Sequence, residues 1–140
     1  MKIITYLLAS ISLFLLPIKG LLITMILFIV LDSITAIYVA VKLNGWNAFK
    51  STKFFNIVVK SFFYLFTIIL AYFVDVFMFE GSILDIKLLL AKSMTSAWVF
   101  IEVKSCDENS MKLGNKSLWV LIKGFTTKIK SIKKDLNDII

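Results

Sequence analysis

Asp32 is the residue of this chain most able to do chemistry. It is twelfth of 23 residues in the apolar run Leu21–Leu43. An aspartate near the middle of a membrane-crossing helix costs about 2.5–3.5 kcal/mol on insertion scales, so it must be neutral, paired with a lysine or hydroxyl, or turned to water. Ser33, Ala36 and Ala40 follow at 3/4 spacing, with Thr35 among them. They are either ordinary helix filler or a strip of small side chains where a second helix can approach closely. A later stretch holds Lys92 and Glu102 within apolar sequence and a second small pair, Ser93 and Ala97. Together these predict a polar seam of Asp32, Thr35, Lys92 and Glu102, with Lys92 or Glu102 as the buried partner of Asp32. Asp75 and Asp85 are expected at the outer surface. The seam serves either helix pairing or a water-lined path, and scattered charges do not separate the two.

Glu102, Ser105 and Asn109 share one helical face, beside Glu108. Their plain reading is a solvated helix end with favourable i,i+3 and i,i+4 contacts. Catalysis finds little to work with. Histidine is absent and Cys106 is the single cysteine, so neither a Cys–His nor a Ser–His pair can form and Cys106 is expected to be inert. A structural zinc site, which takes four Cys or His ligands, cannot be assembled either. No metal, cofactor or enzymatic reaction is expected. All 16 basic residues are lysines, whereas base-edge and phosphate readers favour the bidentate guanidinium, so nucleic acid is not an expected partner.

The elements that must position these residues are membrane helices. With 59% hydrophobic and 18% charged residues, a chain of 140 would leave much of its 13 Phe and its Leu/Ile runs in water if it folded as a soluble domain. The expected fold class is an all-α integral membrane protein, a small bundle of three to four transmembrane helices with a cytoplasmic amphipathic C-terminal helix. Residues 1–19 hold a short apolar helix, Ile3–Ile18, which spans or lies at the interface; Pro17 and Gly20 end it. Pro17-Ile18-Lys19 is no small-x-small cleavage site, so this segment is expected to be retained. Residues 20–44 form a transmembrane helix closed by Asn44-Gly45, with Trp46 at the interface. A basic linker, 45–56, carries Lys50 and Lys53 over the lipid surface. A second span runs over 57–79, where Lys60 can snorkel to the headgroups. After a tight turn at Glu80-Gly81-Ser82, residues 83–106 make a third span bearing the polar seam.

The tail, 107–140, changes period. Leu118, Ile122, Phe125, Ile129, Ile132, Leu136 and Ile139 repeat at 4-3-4-3 spacing, with Lys123, Lys128, Lys130, Lys133 and Lys134 between them. A heptad stripe with a basic back suits either an interfacial helix on anionic lipid or a self-associating bundle. Short-loop lysines set sidedness. Lys42, Lys50, Lys53 and Lys60 stand before the third segment, eight lysines lie from Lys104 onward, and Asp75, Glu80 and Asp85 surround the intervening turn. This predicts a cytoplasmic linker and C-terminus.

The chain resembles the small bacteriophage holins, the toxin-secretion/phage-lysis holin family, in the form seen in phages of Bacteroidetes-type hosts. The resemblance covers roughly residues 20–135. It rests on Leu31-Asp32-Ser33-Ile34-Thr35, where the family pattern is an apolar residue, Asp, any two, then Thr, often followed by Gly; Ala36 stands in that glycine place. It rests also on the basic stretch around Lys50 and Lys53, and on Glu102…Ser105…Glu108-Asn109, which fits Glu-x-x-Ser-x-x-Glu-Asn throughout. What the resemblance implies is a lysis protein of the host inner membrane that accumulates, homo-oligomerises and opens lesions, with endolysin as its functional partner. Two other readings fit the residues: a non-lytic membrane scaffold ordered through the tail, and a small cation or proton channel.

Overall fold

The computed structural model describes residues 2–45 and 51–137, with side chains over 2–45 and 55–129. Trp46, Lys50 and Ile139 lie outside the described residues, and Lys53, Ile132 and Leu136 are placed by backbone alone. The fold is helical apart from one minute hairpin. Helix α1 spans Lys2–Phe14, a 3₁₀ turn covers Leu16–Ile18, and α2 runs over Lys19–Asn44. Helix α3 is Ser51–Met78, strands β1 (Ser82–Ile83) and β2 (Ile86–Lys87) pair antiparallel, and α4 (Leu89–Met111) and α5 (Leu118–Asn137) follow.

Among the described residues, two helices are long and apolar enough to cross a membrane, Leu16–Asn44 and Phe55–Met78. Their exteriors agree with that use: Leu27, Leu31, Ile34, Phe62, Phe63 and Phe66 are all exposed. Helix α1, with 13 residues or about 20 Å of rise, falls short of the roughly 20 residues a crossing needs. Pro17 has no N–H to give, and the Ile18 N–H turns to Leu15 O at 3.1 Å, so the ladder breaks there. Tyr72 Oη then donates to the Phe14 carbonyl at 2.8 Å, and Phe14 packs against the rings of Tyr72, Phe73 and Phe77.

Helix α4 fills the angle between α2 and α3. It runs antiparallel to α3, as a succession of pairs shows: Asp75 meets Ala91, Thr67 meets Trp98, and Lys60 meets Glu102. Met25, Ile29, Tyr64 and Ile68 form the buried apolar centre, covered by Met94, Trp98 and Val99 of α4. The Trp98 ring stacks on Tyr64 at 4.3 Å between centroids. A smaller cluster of Ile18, Tyr72 and Ala91 closes the hairpin end.

Several boundaries differ from the sequence reading. Residues 51–56, expected in the linker, are the first turns of α3. The third segment begins as a hairpin, and its helix starts only at Leu89. The reason lies in the backbone: Glu80, Gly81, Leu84, Asp85 and Leu88 all have positive φ, and Leu84-Asp85 make the two-residue turn between the strands. Asp75, expected at the surface, is wholly buried.

Candidate functional site

Three helices converge on one ionic cluster. Lys60 of α3 places its Nζ 2.8 Å from Asp32 Oδ2 of α2 and 2.7 Å from Glu102 Oε2 of α4. Each helix offers the residue for a local reason. Asp32 interrupts the apolar face with which α2 meets α4, and Lys60 is the one cation between Phe54 and Phe79. On α4, Glu102, Cys106 and Asn109 recur at i, i+4 and i+7 and so point the same way. Asn109 donates from Nδ2 to Asp32 Oδ1 at 3.3 Å, and the Cys106 thiol lies 3.9 Å from the same oxygen. Thr35 donates its hydroxyl to the Asp32 carbonyl at 2.8 Å and lies 3.8 Å from Cys106 Sγ. Lys112 reaches Asn109 Oδ1 at 3.2 Å from the exposed end of α4.

Burial makes this cluster costly to leave incomplete. Asp32 is 6% exposed and Glu102 0%. Two acids share one lysine, and neither oxygen of Glu102 receives a well-directed hydrogen bond; Lys60 meets Oε2 as an ion pair, off the hydrogen-bonding direction. The Lys60 ammonium also stands 5.9 Å from the centre of the Tyr64 ring, a cation–π contact on its remaining side. The arrangement can hold helices in register and hide charge from lipid.

Of the four seam residues, Asp32, Thr35 and Glu102 lie together, and Asn109, expected at a solvated helix end, joins them. Lys92 does not: it is exposed in the first turn of α4, ten residues before Glu102 and so about 15 Å along the helix from it. The cation found beside Asp32 is Lys60, which turns inward instead of snorkelling. Ser93 and Ala97 are exposed on a shallow groove with Thr67, Leu70 and Val74. Ser33 donates to Ile29 O within its own helix at 2.6 Å. With Ala36 and Ala40 it lines a groove of about 350 Å³ that reaches Asp32 past Asn44, Asn56, Asn109 and Lys112. Of the other motif positions, Ser105 is half-buried and Glu108 is exposed, 3.8 Å from Lys104.

At the opposite end of α4, Asp75 does different work. Its Oδ1 and Oδ2 accept the N–H groups of Leu90 and Ala91 at 3.1 and 2.8 Å. Leu88, in the N-cap position, has a left-handed backbone and no side chain that can cap. Asp75 therefore caps α4 from the neighbouring helix. In the last two turns of α4, Asp107 accepts from the Leu118 N–H at 2.6 Å and from the Ser117 hydroxyl at 2.7 Å, fixing where α5 starts.

Apolar exteriors around a largely buried ionic cluster define a small helical membrane protein, and no metal-holding group of His, Cys, Asp and Glu occurs among its described residues. The bacteriophage holin family model matches residues 9–130, which is most of the chain, and the protein belongs to that family. Holins permeabilise the host membrane, and membership places this chain among membrane proteins of host lysis. No curated protein and no solved structure matches it.

Proposed function

We propose that the protein inserts in the host inner membrane with α2, α3 and α4 as its spans and α5 on the cytoplasmic side. It homo-oligomerises there and opens lesions through which endolysin is released or activated. The observation that carries this reading is the burial of Asp32 and Glu102, with Lys60 between them, inside a bundle whose outer surface is largely apolar. Such a protomer keeps both acids from lipid and can accumulate quietly. Rearranging the same three helices turns a polar wall outward, and a lesion needs such a wall. The spanning role of α4 is supported by its packing along both apolar helices, from the level of Ile18 and Tyr72 to that of Asp32. The Ser33, Ala36 and Ala40 groove, left unfilled in the protomer, is the face proposed for a second copy. The distribution of lysines supports the cytoplasmic C-terminus.

Inducible expression in a bacterial host, with and without a cytoplasmic endolysin, tests this. Abrupt lysis is expected only when both are present. Normal growth with an intact membrane potential would overturn it and leave a non-lytic scaffold. Asp32→Leu should insert yet shift lysis timing, and unchanged timing would remove the cluster from the mechanism.

A further inference from the structure

We propose that α5 is an interfacial anchor that docks on anionic phospholipid headgroups of the leaflet next to the end of α4. A helix free in water would hide its apolar side chains, and this one does not. Trp119 is 73% exposed, Phe125 68% and Val120 56%, while Leu118, Leu121, Ile122 and Ile129 are exposed as well. Leu118, Leu121, Ile122, Phe125 and Ile129 fall within an arc of about 100° at 3.6 residues per turn. The register positions of Ile132 and Leu136 continue that arc. Register positions of lysines border the arc on both sides, those of Lys123, Lys130, Lys133 and Lys134 on one flank and that of Lys128 on the other. Residues 118–137 hold five lysines against one acid, Asp135. An apolar strip between flanking lysines fits a layer that is hydrocarbon below and phosphate above.

Position selects the bilayer over other occupants. The Asp107 clamp on Ser117 and Leu118 starts α5 beside the last turns of α4. Between the two helices lies an apolar groove of about 440 Å³, lined by Phe100, Val103, Met111, Leu118, Trp119 and Ile122. Phe100 is 67% exposed on the outer side of α4, so the apolar surface of α5 continues that of the bundle. A short connection, Lys112–Ser117, tethers the helix and gives it a high effective concentration at that surface. The inference rests on the proposed placement of α4 in the bilayer.

The test uses the full chain in proteoliposomes of phosphatidylcholine with or without phosphatidylglycerol. Spin labels are attached at Phe125→Cys, Thr127→Cys or Ala97→Cys, each in a Cys106→Ser background. Collision with oxygen is compared with collision with a water-soluble nickel chelate. With anionic lipid, the label at 125 should favour oxygen severalfold over the label at 127, which lies on the opposite side of α5. Omitting phosphatidylglycerol, or changing the five lysines to glutamine, should shift the label at 125 towards water. An aqueous signal at 125 with a lipid signal at 97 overturns the docking alone. An aqueous signal at 97 overturns the placement of α4 as well. Shielding of 125 from both reagents, with spin–spin broadening, overturns the proposal in favour of a bundle of α5 helices. Indifference to phosphatidylglycerol overturns the headgroup assignment.

Discussion

Asp75, against the first turn of α4, and Glu102, just past the middle of α4, are both wholly buried, and the protein handles them in opposite ways. Asp75 is satisfied by two backbone amides that exist as soon as α4 forms, and the positive end of that helix adds to the attraction. Glu102 depends on one side chain from another helix, Lys60, and shares it with Asp32. Both arrangements cross between helices, but the first sits beside the short hairpin that links α3 to α4 and keeps the two together. The second joins side chains of three helices and comes apart if α2 or α3 moves as a rigid body. A fold that must be stable and later change state can keep its fixed joint by the hairpin and its separable joint further along α4.

The largest effect that would break this comparison is at Lys60. Lys60→Met leaves two buried carboxylates without their cation, and removing one partner of a buried pair costs about 3–5 kcal/mol. Unfolding in mild detergent, followed by circular dichroism, should show that loss; an unchanged midpoint would mean the cluster carries no weight. Asp75→Ala should cost about 1–2 kcal/mol through the lost cap, while Asp75→Asn, whose amide oxygen still accepts, should retain much of it. Equal losses for the two variants would show that charge, not hydrogen bonding, dominates at that end. Glu102→Gln sharpens the contrast, because it removes the acid in excess of the single lysine. Its expected change is under about 1 kcal/mol in either direction, consistent with the near balance of buried ion pairs against neutral replacements. The smallest effect is at Leu84, exposed with φ 51°. Leu84→Asn should stabilise by about 0.5 kcal/mol in the same assay, since asparagine tolerates the left-handed region better.

Much of the architecture was legible in the sequence because lipid imposes long apolar runs: α2 and most of α3 can be read directly. The interruption at Asp32 was legible for the same reason, and the spacing of Glu102 and Asn109 placed both on one face. The partner of Asp32 was not. Lys60 stands near an apolar run's end, where lysines commonly reach outward, and only the antiparallel register of α3 and α4 turns it inward. Lys92 looked central because the helix was counted from Ile83, and of the five positive-φ positions between Glu80 and Leu88 only Gly81 and Asp85 are residue types that readily take left-handed backbone. Asp75 looked superficial because its partners are main-chain amides, which leave no side-chain signature.

The Tyr72 hydroxyl on the Phe14 carbonyl has a mechanical consequence. A broken helix ladder inside lipid normally exposes a bare carbonyl, and that exposure resists bending. With this carbonyl already engaged, the break at Pro17 leaves no bare oxygen at Phe14, and three ring contacts fasten the C-terminal end of α1 to α3. Helix α1 is moored there by groups that take no part in the ionic joint between α2, α3 and α4.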